Sequence, residues 1–97
     1  MNQPKISIII PVHNDGEYLV RCLDSVVNQT LKEIEVICID DASTDSSFQI
    51  LNKYKETFPF IIIIKLNVNS SAFVARIEGV RKATGKYIMF LDGDDCL

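Results

Sequence analysis

Ninety-seven residues, 47% of them hydrophobic and 24% charged, make one globular domain and leave no room for two. Ten Lys and Arg against thirteen Asp and Glu give a net charge of -3, so the chain carries no basic footprint for nucleic acid. Its longest apolar run, Phe60 to Ile64, falls far short of the ~20 residues that cross a bilayer.

Four short apolar runs set the frame: Ile6 to Val12, Ile34 to Ile39, Phe60 to Leu66 and Tyr87 to Leu91. They are rich in Ile and Val and nearly continuous, the pattern of strands covered on both faces, so parallel pairing is expected. After the first run, Asn14, Asp15 and Gly16 turn the chain into a helix whose apolar stripe is Leu19, Cys22, Leu23, Val26 and Val27. After the second, Ser43 is the expected N-cap of a helix with Asp45 in its first turn and Phe48, Leu51 and Tyr54 facing inward; Pro59 closes that connection. A third helix is expected over Ser71 to Thr84, with Ala72, Ala75, Gly79 and Ala83 on one side, Phe73, Ile77 and Val80 on another, and Gly85 as its stop. The order is βαβαβαβ, an α/β Rossmann-like domain with a parallel sheet and helices on both faces.

Three cysteines, Cys22, Cys38 and Cys96, with no CxxC pair and His13 as the sole histidine, speak for a reducing compartment and against a zinc site or disulfide scaffold. Cys22 and Cys38 lie in apolar runs and are expected in the core. Met1 to Lys5 lacks the basic-then-apolar order of a signal peptide. The expected location is cytoplasmic, free or peripheral to the inner face of the membrane.

In parallel sheets ligands gather at the carboxyl ends of the strands. Those ends read Pro11-Val12-His13-Asn14-Asp15, Asp40-Asp41-Ala42-Ser43 and Asp92-Gly93-Asp94-Asp95, and the last two hold five of the thirteen acidic residues. Adjacent carboxylates repel unless a cation or a hydrogen-bond donor shares the site. Asp92 and Asp94, two apart in an extended segment, point the same way and suit Mg²⁺ or Mn²⁺. An Asp-Gly-Asp-Asp run can equally be a solvated turn, so context decides. There is no G-x-G-x-x-G for a dinucleotide and no G-x-x-x-x-G-K-[ST] for a P-loop.

Taken together, Pro4 to Asn14, Leu23 to Thr30, Ile39 to Ser46 and Ala83 to Asp95 resemble the N-terminal half of family 2 glycosyltransferases of the GT-A fold. The resemblance implies a strand order of 3-2-1-4 and a nucleotide-sugar donor, UDP-sugar by default. It places Pro11, His13 and Asp15 in the loop lining the base pocket and Asp41 where the base is accepted in a hydrogen bond. Asp94 becomes the direct ligand of Mn²⁺ or Mg²⁺, with Asp92 nearer the ribose or a metal-bound water, and Arg76 falls where the family often has Arg-Asn. Departures are His13 for Tyr, Ala42 for Gly, which calls for a negative φ there, an Asn67 to Ser71 loop without its usual glycines, and Ile77 after Arg76.

The resemblance also implies that the chain ends in the middle of the catalytic domain, with the acceptor site and the general base downstream. The fragment is then expected to be inactive alone, with a glycan or lipid-linked acceptor in the full enzyme and self-association through the uncovered fourth strand. Two other readings stay open: a haloacid-dehalogenase-type phosphotransferase with Asp92 as nucleophile, and a non-catalytic nucleotide or protein interaction module.

Overall fold

A computed structural model describes residues 3–29 and 33–97. Thr30, at the end of the second motif, and Met1 and Asn2 of the N-terminal stretch lie outside the described residues. The elements are β1 (Ile6–Val12), α1 (Gly16–Val27), β2 (Ile34–Asp41), α2 (Ser47–Thr57), β3 (Ile61–Leu66), α3 (Ala72–Lys82) and β4 (Tyr87–Phe90). All strand pairs are parallel and the sheet order is β3-β2-β1-β4, as expected.

Alternation along the two central strands divides the core. Ile8, Ile10 and Val12 of β1 and Val36 and Cys38 of β2 face α1 and α2, meeting Leu19, Cys22, Leu23, Val26 and Leu51. The residues between them, Ile9, Ile37 and Ile39, face α3 at Ala75. Each such buried aliphatic side chain contributes roughly 1.5–3 kcal/mol, which is why β1 and β2 read as unbroken apolar runs.

Pro11 sits in β1, a central strand, where a missing N–H would normally cost a ladder bond. Its carbonyl accepts from Gly93 N on the β4 side. Its nitrogen faces that same side, beyond Phe90, where β4 has already ended. The proline therefore falls at the place where the chain leaves the sheet, and residues 91–94 swing over the carboxyl end of β1.

Three local expectations are corrected. β4 is not covered on both faces: Tyr87, Ile88 and Phe90 are 56%, 44% and 49% exposed, β4 being an edge strand paired with β1 alone among the described residues. Ser43 does not cap α2, which starts at Ser47 with its N–H bonded to Asp45 Oδ1 at 2.9 Å; the Ser43 hydroxyl accepts from Asn14 N instead. Gly85 is not a left-handed helix stop, since no glycine has positive φ and α3 ends at Lys82 with Ala83 extended. Ser71 does cap α3, its hydroxyl accepting from Val74 N at 3.1 Å.

Candidate active site

Because the strands are parallel, the ends of β1, β2 and β4 lie along one edge of the sheet. The loop after β1 is latched there to the loop after β2. Asn14 Oδ1 accepts from Thr44 N at 2.8 Å, from Thr44 Oγ1 and from Asp45 N, while Asn14 N donates to Ser43 Oγ. The N–H groups that open α1 have no acceptor within their own helix. They are satisfied from across the latch, Asp15 N by Ser47 Oγ at 3.0 Å and Gly16 N by Asp45 Oδ2 at 2.9 Å.

Two residues in the latch are left-handed, Asn14 at φ 52° and Ala42 at φ 55°. Asparagine tolerates this region, but a Cβ makes it costly for alanine. The negative φ expected of Ala42 is thus overturned: the chain must reverse directly after Asp41 so that Ser43 can meet Asn14. Relief of about 1–2 kcal/mol of strain outweighs the ~0.4–1 kcal/mol by which glycine favours the unfolded chain. Ala42→Gly is expected to raise the melting temperature by a few degrees in differential scanning calorimetry, a domain of this size shifting about 4–8 °C per kcal/mol.

The latch carries the residues singled out from the sequence. His13 Nδ1 donates to the Asp41 carbonyl at 2.6 Å, and its Nε2 lies 3.2 Å from Asn69 Nδ2. Asp41 is almost fully buried and its Oδ1 accepts from Ser70 N at 2.8 Å. Asp40 is wholly buried, with Oδ1 accepting from Ser43 N at 3.3 Å and Oδ2 without a partner among the described residues. Arg76 Nη2 meets Asp92 Oδ1 at 2.7 Å, an ion pair open enough to solvent to contribute no more than about 1 kcal/mol.

Pro11, His13, Asp15, Asp41, Arg76, Asp92 and Asp94 all line one cleft of about 230 Å³, together with Val12, Ala72 and Gly93. Gly93 lets the chain pass close to Asp15, since a Cβ on it would stand 2.7 Å from Asp15 Oδ2 and make that carboxylate shift. Burial pushes the Asp15 carboxyl above its usual value, with repulsion from Asp94 and Asp45 added and the His13 N–H opposing. Carboxylate oxygens of Asp92, Asp94 and Asp95 lie within 4.8 Å of one another. That exposed set of hard oxygen donors suits Mg²⁺ or Mn²⁺, which take one or two carboxylates and fill their remaining positions with water and phosphate oxygens.

Sequence reasoning did not find Asn69 or Ser70. Asn69 carries an amide that would suit any loop, and Ser70 acts through its backbone N–H, which has no signature in a sequence.

With this geometry established, the sequence model described as glycosyl transferase family 2 is found to match residues 7–97. The chain belongs to that family. Poly(ribitol-phosphate) beta-glucosyltransferase of Bacillus spizizenii is 48% identical over 94 residues, 94% of this chain and 15% of that protein. S. aureus TarS 1-349 in complex with UDP superposes with a TM-score of 0.89 at 33% identity, over 95% of this chain and 28% of that one. Its complex with UDP-GlcNAc gives 0.86 at 32% identity, over 95% of this chain and 27% of that one. Mannosyltransferase PcManGT of Pyrobaculum calidifontis, solved with GDP-Man and Mn²⁺, shares the fold with a TM-score of 0.88 at 24% identity, over 99% of this chain and 29% of that one. The chain thus spans less than a third of the length of each of these relatives. The family 2 match runs through all four strands, which the phosphotransferase reading left unexplained, and that reading gives way.

Proposed function

We propose that this chain is the donor-binding part of a metal-dependent family 2 glycosyltransferase and that its cleft holds a nucleotide sugar, a UDP-sugar first. The observation that carries the reading is the convergence of seven residues from four separate segments on one cleft at the carboxyl edge of the sheet. The cleft is smaller than the ~300–1,000 Å³ of most small-molecule sites, so it suits the nucleoside and leaves the sugar outside.

In this reading His13 lies against the base, held in plane by its bonds to the Asp41 carbonyl and Asn69, and Asp41 accepts from a base N–H. Asp94 and Asp92 would hold Mn²⁺ or Mg²⁺, which would supply Lewis-acid charge at the diphosphate. Arg76 and the first turn of α3, reached at Ala72, bring further positive potential to the same anion. A general base for the acceptor hydroxyl must stand within hydrogen-bond reach of it, and that group is assigned to a longer protein, as are the glycan or lipid-linked acceptor and a site of action at the cytoplasmic face. The uncovered apolar edge of β4 supports association with a second copy, to be read by light scattering.

Calorimetric titration of UDP in the presence of Mn²⁺, repeated in EDTA, tests the reading. Binding is expected with metal and not without it. A charge-assisted hydrogen bond is worth about 1.5–3 kcal/mol, so Asp41→Ala is expected to weaken UDP at least about tenfold, and Asp94→Ala to remove the metal dependence. An intact chain that binds no nucleotide in either condition would sink the proposal.

A further inference from the structure

The motif Leu23 to Thr30 contributes no residue to the cleft, so the nucleotide reading leaves it without a task. Its Asp24 takes the Tyr54 hydroxyl at 2.5 Å and ties α1 to α2. Its Ser25 reaches the segment that follows β4. The Ser25 hydroxyl donates to the Cys22 carbonyl at 2.7 Å, which commits its one proton and leaves it an acceptor for Leu97 N at 3.0 Å. Three residues earlier on the same helix face, the Cys22 thiol lies 3.7 Å from the Asp92 carbonyl, which also accepts from Asp95 N at 2.9 Å. Arg21 Nη2 meets Cys96 Sγ at 3.5 Å. Gln29 donates to the Ser25 carbonyl at 2.7 Å and, with Ile6, Ile8, Ile34 and Met89, walls a cavity of about 160 Å³ that Leu97 also lines.

The turn from Asp92 to Asp95 is thereby held at two ends. Its start is fixed to the sheet and to α3, Gly93 N donating to the Pro11 carbonyl at 3.3 Å and Arg76 pairing with Asp92. Beyond Asp95, the hydrogen bonds that fasten the chain to another element all go to α1 among the described residues. Asp94 and Asp95 lie between these anchors. We infer that Ser25 is a positioning residue for the metal: by holding Leu97 it fixes the far end of the turn and keeps the Asp94 and Asp95 carboxylates gathered with Asp92. Carboxylates within 4.8 Å of one another repel before a cation arrives. A turn released at one end spreads, and gathering it again weakens the cation's binding. The inference rests on the reading of Asp92 and Asp94 as metal ligands and gives the second motif its task.

Amide hydrogen exchange on the metal-free chain tests the anchor, and the electron paramagnetic resonance signal of free Mn²⁺, titrated with UDP present, tests its consequence. Ser25→Ala is expected to speed exchange of the Leu97 amide and to weaken Mn²⁺ about three- to tenfold, the worth of one neutral hydrogen bond. Ser25→Thr is expected to restore both, since a helical threonine hydroxyl also bonds the carbonyl three or four residues back. Tyr54→Phe removes a different hydrogen bond of α1, the one at Asp24, and is expected to lower stability while leaving Mn²⁺ affinity as in the wild type. Three results would each overturn the inference: Ser25→Ala holding Mn²⁺ as tightly as the wild type, Ser25→Thr failing to rescue it, or Tyr54→Phe weakening Mn²⁺ equally, which would make the effect one of general stability. A wild type that takes up no Mn²⁺ would overturn the metal reading and the role of Ser25 with it, while exchange at Leu97 would still report whether the anchor exists.

Discussion

Gly79→Val is expected to unfold the protein or to lower its stability by about 3 kcal/mol or more, a large part of the ~5–15 kcal/mol available to a small domain. Gly79 is where α3 lies flat on the sheet. A Cβ there would stand 2.4 Å from Ile9 Cγ2 and 2.9 Å from Ile39 Cδ1, both in fully buried side chains of the two central strands. Those isoleucines pack against Ile37 and Ala75 and cannot withdraw without opening the second core cluster. Gly79→Ala separates the two forces at work. It gains about 1 kcal/mol of helix propensity and loses ~1–3 kcal/mol to overpacking, so a smaller net loss is expected. Phe73→Ala, on the exposed outer face of the same helix, is expected to leave stability nearly unchanged. Urea denaturation of the three variants reads the order directly. Since α3 also brings Arg76 and Ala72 to the cleft, a displaced helix removes the anion-binding wall along with the core.

Glu35→Ala is expected to cost about 3 kcal/mol, through the loss of several hydrogen bonds to one buried carboxylate. Glu35 Oε2 accepts from Ser7 Oγ at 2.5 Å, Thr84 N at 2.6 Å and Thr84 Oγ1 at 3.1 Å, and Ser7 Oγ in turn accepts from Gly85 N at 2.8 Å. The group ties the approach to β4 onto β1 and β2 at the edge of the sheet opposite the cleft, and so sets where β4 delivers Asp92 and Asp94. Burial raises the Glu35 carboxyl, but the hydrogen bonds from Ser7 and Thr84, with the Gly85 N–H close by, together outweigh it and leave its pKa below the usual 4.5. A carboxyl with a lowered folded pKa adds stability above its unfolded pKa and loses it as pH falls through the folded one. Stability of the wild type is therefore expected to fall as pH drops below about 4.5. Glu35→Gln, which keeps an acceptor but cannot titrate, is expected to be less stable at pH 7 and to show a flatter acid limb. Parallel acid limbs for the two proteins would remove Glu35 from the account of acid unfolding.

The apolar runs foretold β1 to the residue and the others to within two, because strands covered on both faces must be apolar along their whole length. The same rule misled at β4, whose side chains are just as apolar but stay largely exposed at the edge of the sheet. Composition records which residues need cover, and the neighbours that supply it lie elsewhere. Capping failed at Ser43 for a related reason. A hydroxyl ahead of a helix is a local signal, and here Asn14, 29 residues away, offered the competing bond. The left-handed Ala42 could not be anticipated because its strain is carried by that same cross-loop latch.

At the site, the motifs ending the strands named residues that the structure brings to one cleft, and parallel topology was enough to predict that they meet along one edge. Which partner each side chain takes was decided only by the tertiary structure: Arg76 on Asp92, His13 on the Asp41 carbonyl, Ser70 N–H on the Asp41 carboxylate, and Ser7, Thr84 and Gly85 gathered around Glu35. Periodicity and motif are properties of neighbouring residues along the chain, so a sequence displays them openly. Contacts between residues tens of positions apart depend on how the layers pack, and backbone donors such as Ser70 N–H are the same in every non-proline residue, so their direction exists only once the chain is folded.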